Sequence, residues 1–155
     1  MVMNSAKLIR VFGVAVILYG VYNLLGIGNY KQFAVMLAGI PHLAVLLVYA
    51  FSIFYAVSCV YCGTRVMRHE DWARKMVLVL TSASVLLGFL LRGTVMANLR
   101  EYVFSQNANM PAGMAGSIYN YAVAFTVLAT LFELAVIVFF TRRSVVEQFR
   151  GKEEV

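Results

Sequence analysis

Four continuous apolar runs dominate the sequence and limit what the chain can fold into. They cover residues 11–27, 42–64, 76–97 and 118–141. A helix rises about 1.5 Å per residue, so roughly 20 residues cross a hydrocarbon core about 30 Å thick. A transmembrane strand needs only about ten residues and alternates apolar with polar side chains, which these runs do not do. The sequence therefore predicts an all-α polytopic membrane protein, a single transmembrane domain over residues 1–155.

The composition points to the same surroundings. Hydrophobic residues make up 62% of the chain and charged residues 13%, against about 45–50% and about 25% in soluble domains. Such a chain cannot cover its apolar surface with polar side chains in water. The net charge of +6 suggests nucleic acid as a partner, but the basic residues lie at the ends of apolar runs, where headgroups attract them. We expect a lipid bilayer as partner and no nucleic acid.

The basic residues also predict the orientation of the spans. One side carries Lys7, Arg10, Arg65, Arg68, Arg74, Lys75, Arg142, Arg143, Arg150 and Lys152. The other side carries Lys31, Arg92 and Arg100. The positive-inside rule makes the first side cytoplasmic. An up-down-up-down four-helix bundle then has its N-terminus and C-terminus in the cytoplasm. Because no small-residue cleavage site follows the first run, we expect it to stay as an uncleaved signal-anchor.

Three further segments connect or follow the spans. Residues 29–40 are too apolar for a free loop and too short to cross, which favours an outer interfacial segment. Residues 98–116 are predicted to form an outer loop, because Asn, Gly and Pro accumulate in their second half. Residues 142–155 form a cytoplasmic tail. The helical spacing of Val145, Val146 and Phe149 suggests an extension of the last helix along the inner surface, and a frayed end is the alternative.

Glu133 lies deepest in an apolar run of all the acidic residues, about 12 Å from the inner end of the fourth span. A bare carboxylate is costly there, so such acids face the protein interior or a wet cavity, pair with another group or stay protonated. Thr130, Thr126 and Asn120 share roughly one helix face with it. One interpretation is a proton or cation site. The other is a protonated or hydrogen-bonded glutamic acid that fixes helix packing.

Arg92 is the obvious electrostatic partner for Glu133. It lies about 24 Å from the inner end of the third span, so the two depths differ by about 12 Å. Two extended side chains only just close that gap, and an arginine at this depth can snorkel to the outer headgroups instead. Both arrangements stay open from the sequence.

Cys59 and Cys62 form a Cys-Val-Tyr-Cys sequence at the inner end of the second run. The pattern resembles the first redox pair of the DsbB family of quinone-linked thiol oxidases, which are also four-helix membrane proteins. The resemblance implies a membrane thiol oxidoreductase. That family also needs a second cysteine pair in an outer loop, and this chain contains 2 Cys. Because the predicted orientation turns the pair towards the reducing cytoplasm, two packing residues one helical turn apart are the alternative.

Metal binding has little support in the sequence. His42 and His69 are predicted on opposite sides of the membrane. Cys59, Cys62 and His69 together would lack a fourth ligand. We expect no metal site.

Small residues four positions apart predict close helix contacts. Ser84 and Gly88 have this spacing in the third run, and Ala122, Thr126 and Thr130 have it in the fourth. Such residues let two helix backbones approach closely in membranes. We expect contacts within the chain at these faces, with a dimer interface as the alternative.

The turn before the third run ends in Asp71-Trp72-Ala73-Arg74. A Trp-Ala-Arg sequence that opens the third of four spans is similar to a motif in small, mostly uncharacterised bacterial inner-membrane proteins. The resemblance implies a bacterial inner membrane and carries no activity. By their chemistry, Trp72 and Arg74 are predicted to anchor the third helix at the inner headgroups.

Three functions are compatible with this sequence. It shows no catalytic constellation and no cofactor motif, so we expect no enzyme and no cofactor. The first function is assembly, as a homo-oligomer or as a small subunit of a larger membrane complex. The second is a transporter or channel in which several copies surround a path containing Glu133, because four helices filled with Leu, Val and Phe leave little room for a pore. The third is a thiol oxidoreductase that uses Cys59 and Cys62.

Overall fold

The computed structural model describes residues 5–28, 30–106 and 112–150. Within these ranges the chain forms helices and no strands. The helices are α1 (Ser5–Ile27), α2 (Tyr30–Met36), α3 (His42–Met67), α4 (Asp71–Gln106), α5 (Ala112–Thr141) and α6 (Arg143–Arg150). Four segments are long and apolar enough to cross a membrane: Lys7–Ile27, His42–Met67, Asp71–Ser105 and Gly113–Thr141. The prediction of an all-α multi-pass membrane protein is confirmed at this level.

The helices extend beyond the predicted spans, most clearly in α4. We expected an outer loop over 98–116, but α4 continues to Gln106 and α5 already begins at Ala112. Residues 107–111 of that loop lie outside the described residues. The physical reason is that polar residues such as Arg100 and Glu101 end an apolar run without ending a helix. Hydropathy therefore locates the edge of the hydrocarbon and does not locate the helix end.

The turn between α3 and α4 is short and tightly hydrogen-bonded. The Arg65 carbonyl accepts bonds from the amides of Arg68 at 3.0 Å and Glu70 at 3.2 Å. His69 has φ 62, the left-handed conformation that commonly ends a helix. The Arg65 guanidinium also pairs with the Glu70 carboxylate at 3.1 Å. A connection this short makes α3 and α4 neighbours in space.

The closest backbone approach joins α1 to α3 through glycines. A Cβ placed on Gly20 would lie 2.8 Å from the Ala56 carbonyl oxygen, and one on Gly63 would lie 2.9 Å from the Gly13 carbonyl oxygen. The predicted close contact at Gly88 is wrong, because a Cβ there would meet no atom within 4 Å. Small residues pack helices here as expected in membranes, but in a different helix pair from the one the spacing suggested.

The tail folds back against the long helices. We call the end formed by the α3–α4 turn, the start of α1 and the end of α5 the basic end. The α6 residues Val145 and Phe149 are buried there, with Phe149 0% exposed. The Phe149 ring lies 6.4 Å from that of Phe140 and 5.7 Å from that of His69, measured between centroids. The predicted surface extension or frayed end is therefore a packed helix through Arg150, and residues 151–155 lie outside the described residues.

At the opposite end, α2 is held by contacts with α3 and α4. The Asn98 side-chain amide donates hydrogen bonds to the carbonyl oxygens of Met36 at 3.0 Å and Ala38 at 3.1 Å. The Phe33 ring packs edge-on against Tyr49 at 5.2 Å, and Leu37 is buried. Of the segment predicted over 29–40, residues 30–40 form a short helix and turn fixed to the protein, and residue 29 lies outside the described residues.

Candidate functional site

Glu133 is the meeting point of the four long helices. Its side chain is 6% exposed. Its Oε1 atom accepts hydrogen bonds from Ser84 Oγ on α4 at 2.9 Å, Tyr19 Oη on α1 at 3.0 Å and Tyr55 Oη on α3 at 3.1 Å. The carboxyl group on α5 thus contacts one hydroxyl from each of the other long helices.

Helix packing brings the two tyrosine hydroxyls to the carboxyl group. Tyr19 precedes Gly20, where α1 comes closest to α3. This approach sets the Tyr19 and Tyr55 rings edge to face, with their centroids 6.4 Å apart. Tyr19 also packs against the Phe132 ring at 4.9 Å. The glycine contact and the aromatic contact together fix the Tyr19 hydroxyl beside the carboxyl group.

Burial disfavours a negative charge at Glu133, and the hydrogen bonds offset part of that cost. A hydroxyl has one proton, so the Tyr55 hydroxyl, which is 3.1 Å from Glu133 Oε1 and 3.4 Å from Thr81 Oγ1, donates to one of the two at a time. Donors that converge on one carboxyl oxygen stabilise the carboxylate, which is otherwise costly inside a membrane. Because all three donors bond Oε1, Oε2 is the oxygen left to bind something else.

Glu133 lines a cavity of about 600 Å³ that the helices enclose only in part, since the lining residues Phe89 and Leu131 are more than half exposed. Most of the lining is apolar. The other polar or charged lining side chains are Asn23, Ser52, Tyr55, Ser84, Arg92, Thr126 and Thr130. The volume lies within the range of about 300–1,000 Å³ that small-molecule sites occupy.

The structure brings together part of the polar face predicted on the fourth helix. Thr126 and Thr130 line the same cavity as Glu133, and their hydroxyls donate to carbonyl oxygens one turn earlier in α5, at 2.9 Å and 3.0 Å. Asn120 lies elsewhere, in a separate surface pocket with Ser117 and Tyr121. Two of the three residues predicted to share a helix face with Glu133, Thr126 and Thr130, therefore line the cavity with it.

Arg92 lines the cavity but does not pair with Glu133. Among the described residues, each ion pair within 4.0 Å involves other side chains. The spacing explains this, because Arg92 lies eight residues along α4 from Ser84, the residue that bonds Glu133, or about 12 Å. Glu133 and Arg92 therefore lie at separate places along the cavity lining.

Sequence reasoning missed the three hydroxyl donors. Tyr19 and Tyr55 look like two of many aromatic residues in the apolar runs, and Ser84 looks like a packing residue. The available signal was the polar atom that each of them carries at a depth where polar atoms need partners. Only the fold shows that these atoms share one acceptor.

The two cysteines are buried and unpaired in α3. Cys59 packs against α1, since its Cβ lies 2.9 Å from the position of a Cβ built on Gly20. His42 begins α3, and His69 lies in the turn beyond the other end of that helix. Within the described ranges, no group of three or more His, Cys, Asp or Glu side chains is placed to hold a metal ion.

Trp72 and Arg74, the predicted headgroup anchors, occupy different environments. Trp72 is exposed, and its Nε1 donates to Glu70 at 2.8 Å. Arg74 is 7% exposed and turned into the protein, contrary to the expected headgroup contact. Its Nε bonds Asp71 at 2.7 Å and its terminal nitrogen bonds the Phe140 carbonyl at 3.0 Å. Arg74 thereby joins α4 to the last turn of α5.

Charged groups also reinforce the turn at the basic end. Partial desolvation acts to raise the pKa of Glu70, but hydrogen bonds from Trp72 and Arg65 outweigh it and hold the pKa below its usual value. The carboxylate is therefore the form that the folded turn favours.

Comparison with known proteins gives no relative. No protein family, no curated protein and no solved structure matches this chain.

Proposed function

We propose that this chain is a solute transporter of a bacterial inner membrane, in which a proton or cation binds at Glu133. It is an up-down-up-down four-helix bundle with both termini in the cytoplasm. The excess of basic residues at the basic end supports this orientation. The Trp-Ala-Arg resemblance supports the bacterial origin. The observation that carries the proposal is a hydrogen-bonded carboxyl group beside a cavity inside the span region.

The cavity distinguishes this role from packing alone. A glutamic acid that only fixes helices is served best by neighbours that fill the space around it, because interiors are close-packed. Glu133 instead has one oxygen held by hydroxyl groups and adjoins a space of about 600 Å³. An intramembrane acid in contact with such a space has the placement of a substrate or ion site.

One chain supplies both the carboxyl group and the cavity. The transport hypothesis from sequence needed several copies around a central path. In the proposal as it now stands, an oligomer is compatible but is not needed to build the site. Assembly with copies or with other subunits stays a prediction, and the mass of the natively purified protein tests it. The thiol oxidoreductase also stays a prediction, which Cys59→Ser tests.

Access from both sides of the membrane tests the transport proposal. The background for this experiment has Cys59→Ala and Cys62→Ala, and Thr130→Cys places a thiol in the cavity lining. Leu128→Cys is the control, because Leu128 lies on the same helix, is 62% exposed and points away from the cavity lining. A membrane-impermeant maleimide is added to sealed vesicles of each orientation.

The expected result is labelling of Thr130→Cys from either side and of Leu128→Cys from neither. Alternating access requires the site to meet both solutions. Labelling of Thr130→Cys from one side only, or from neither, contradicts transport through this cavity.

A further inference from the structure

We propose that the cavity at Glu133 binds a lipophilic organic monocation, of the class of hydrophobic amines and of quaternary ammonium or phosphonium ions. The inference rests on the proposed function, since it names the substrate class of the same site. It follows from the charges in the cavity lining, the chemistry of its walls and the position of Arg92.

The charge of the site selects a cation. Glu133 is the acidic residue among the side chains that line the cavity. Its Oε1 already accepts three hydroxyl bonds, so Oε2 is available to a positive group. A buried glutamic acid is ionised only with an opposite charge nearby and is otherwise protonated. Arg92, about 12 Å along α4 from Ser84, does not supply that charge, so a bound cation would take the place of the proton.

The walls select an organic cation over a metal ion. Magnesium and calcium ions need about six or more oxygen ligands, and the lining here is mostly apolar. The aromatic side chains Phe33, Phe51 and Phe89 belong to the lining together with Tyr55. Aromatic faces attract organic cations, and apolar walls bind the rest of a hydrophobic molecule.

Arg92 limits the bound charge. Arg92 lines the same cavity and makes no ion pair with Glu133. It repels a second positive charge on the ligand, which favours a monocation with its charge near Glu133. Removal of the Arg92 charge should therefore tighten cation binding. The gain is up to about tenfold for charges about 12 Å apart at an effective dielectric constant of about 20.

Two ions of matched size test the proposal. Tetraphenylphosphonium is a lipophilic monocation, and tetraphenylborate is an anion of the same shape. Binding of each is measured by equilibrium dialysis to the full chain in lipid nanodiscs, with empty nanodiscs to subtract partition into lipid. The variants are Glu133→Gln and Arg92→Gln, each with a thermal melt to confirm folding.

We expect saturable binding of the cation, one per chain, and no saturable binding of the anion. Glu133→Gln should weaken cation binding by at least about thirtyfold, since loss of one partner of a buried charge pair is costly. Arg92→Gln should strengthen it, and this variant leaves the carboxyl cluster intact. Equal binding of the two ions, or unchanged cation binding in both variants, overturns the proposal.

The two proposals fail in different ways. Absent cation binding together with labelling of Thr130→Cys from both sides removes the lipophilic cation and leaves the transporter. Cation binding together with labelling from one side only leaves a binding site and removes transport.

Discussion

The Tyr19 hydroxyl donates a 3.0 Å hydrogen bond to Oε1 of Glu133, which lies 114 positions later in the chain. The bond links α1 to α5 in the middle of a series of ring contacts between the same helices. The ring pairs are Phe12–Phe139 at 3.9 Å, Tyr19–Phe132 at 4.9 Å and Tyr22–Phe125 at 5.1 Å. Because rings rather than glycines join α1 to α5, this pair of helices stays further apart than α1 and α3. The cavity lies beside this row of rings and is lined mainly by α3, α4 and α5.

Two substitutions at Glu133 should separate its packing role from its charge. Glu133→Gln keeps an oxygen that can accept from the three hydroxyls, so the free energy of unfolding should change by less than about 1 kcal/mol. Glu133→Leu leaves those buried donors without an acceptor and should cost roughly 1–3 kcal/mol. Denaturation in mixed micelles measures both values. An equal loss of stability in the two variants would mean that the charge itself holds the helices.

The glycine contact between α1 and α3 gives a prediction with a matched control. Gly20→Ala would push a Cβ against the Ala56 carbonyl oxygen, so we expect a loss of roughly 1–3 kcal/mol from overpacking. Gly93→Ala is the control, because a Cβ there meets no atom within 4 Å. In a helix interior that change should stabilise by about 0.5–1 kcal/mol. The same denaturation assay compares them, and a neutral Gly20→Ala would contradict the close approach.

The buried arginine at the basic end should matter far more than an exposed one. Arg74→Gln removes the bonds to Asp71 and to the Phe140 carbonyl. We expect a cost of about 3 kcal/mol, at the low end for a buried pair because Lys75 still pairs with Asp71. Arg143→Gln breaks an exposed pair with Glu147 and should cost less than about 1 kcal/mol. Similar costs for the two variants would place Arg74 at the surface.

The turn at Glu70 predicts a dependence of stability on pH. Its carboxyl has a lowered pKa in the folded protein, so its contribution is complete above the unfolded pKa of about 4.3 and is lost as pH falls through the lower folded pKa. The thermal midpoint of the parent protein should therefore fall more between about pH 6 and pH 3 than that of Glu70→Gln. Parallel curves for the two proteins would show that Glu70 does not contribute.

The sequence predicted four long apolar helices because the signal for each lies in consecutive residues. Apolar runs long enough to cross a bilayer identify the four long helices without knowledge of their neighbours. The end of α4 was predicted too early, because polar residues such as Arg100 mark the membrane edge but do not end a helix. The side of the membrane on which each end lies is an orientation in lipid, and it stays a prediction.

The site was predicted only in part because it is built from pairs distant in the chain. Glu133 is identifiable alone, since an acid in an apolar run is costly. Its partners Tyr19 and Ser84 become recognisable only when α1 and α4 are placed beside α5. Arg74 illustrates the same limit, because a basic residue at a span end can face headgroups or, as here, a carbonyl of another helix.

The reactivity of Glu133 with a hydrophobic carbodiimide would show whether its carboxyl group opens to the cavity. Dicyclohexylcarbodiimide adds to protonated carboxyl groups in apolar surroundings, which is the form of Glu133 when a proton rather than a cation is bound. Peptide mass spectrometry locates the adduct. We predict one adduct per folded chain, on Glu133, absent from Glu133→Gln and formed more slowly when tetraphenylphosphonium is present. A Glu133 that stays unmodified in the folded protein, yet reacts after unfolding in detergent, would mean that the carboxyl group is sealed within helix packing and is not a binding site.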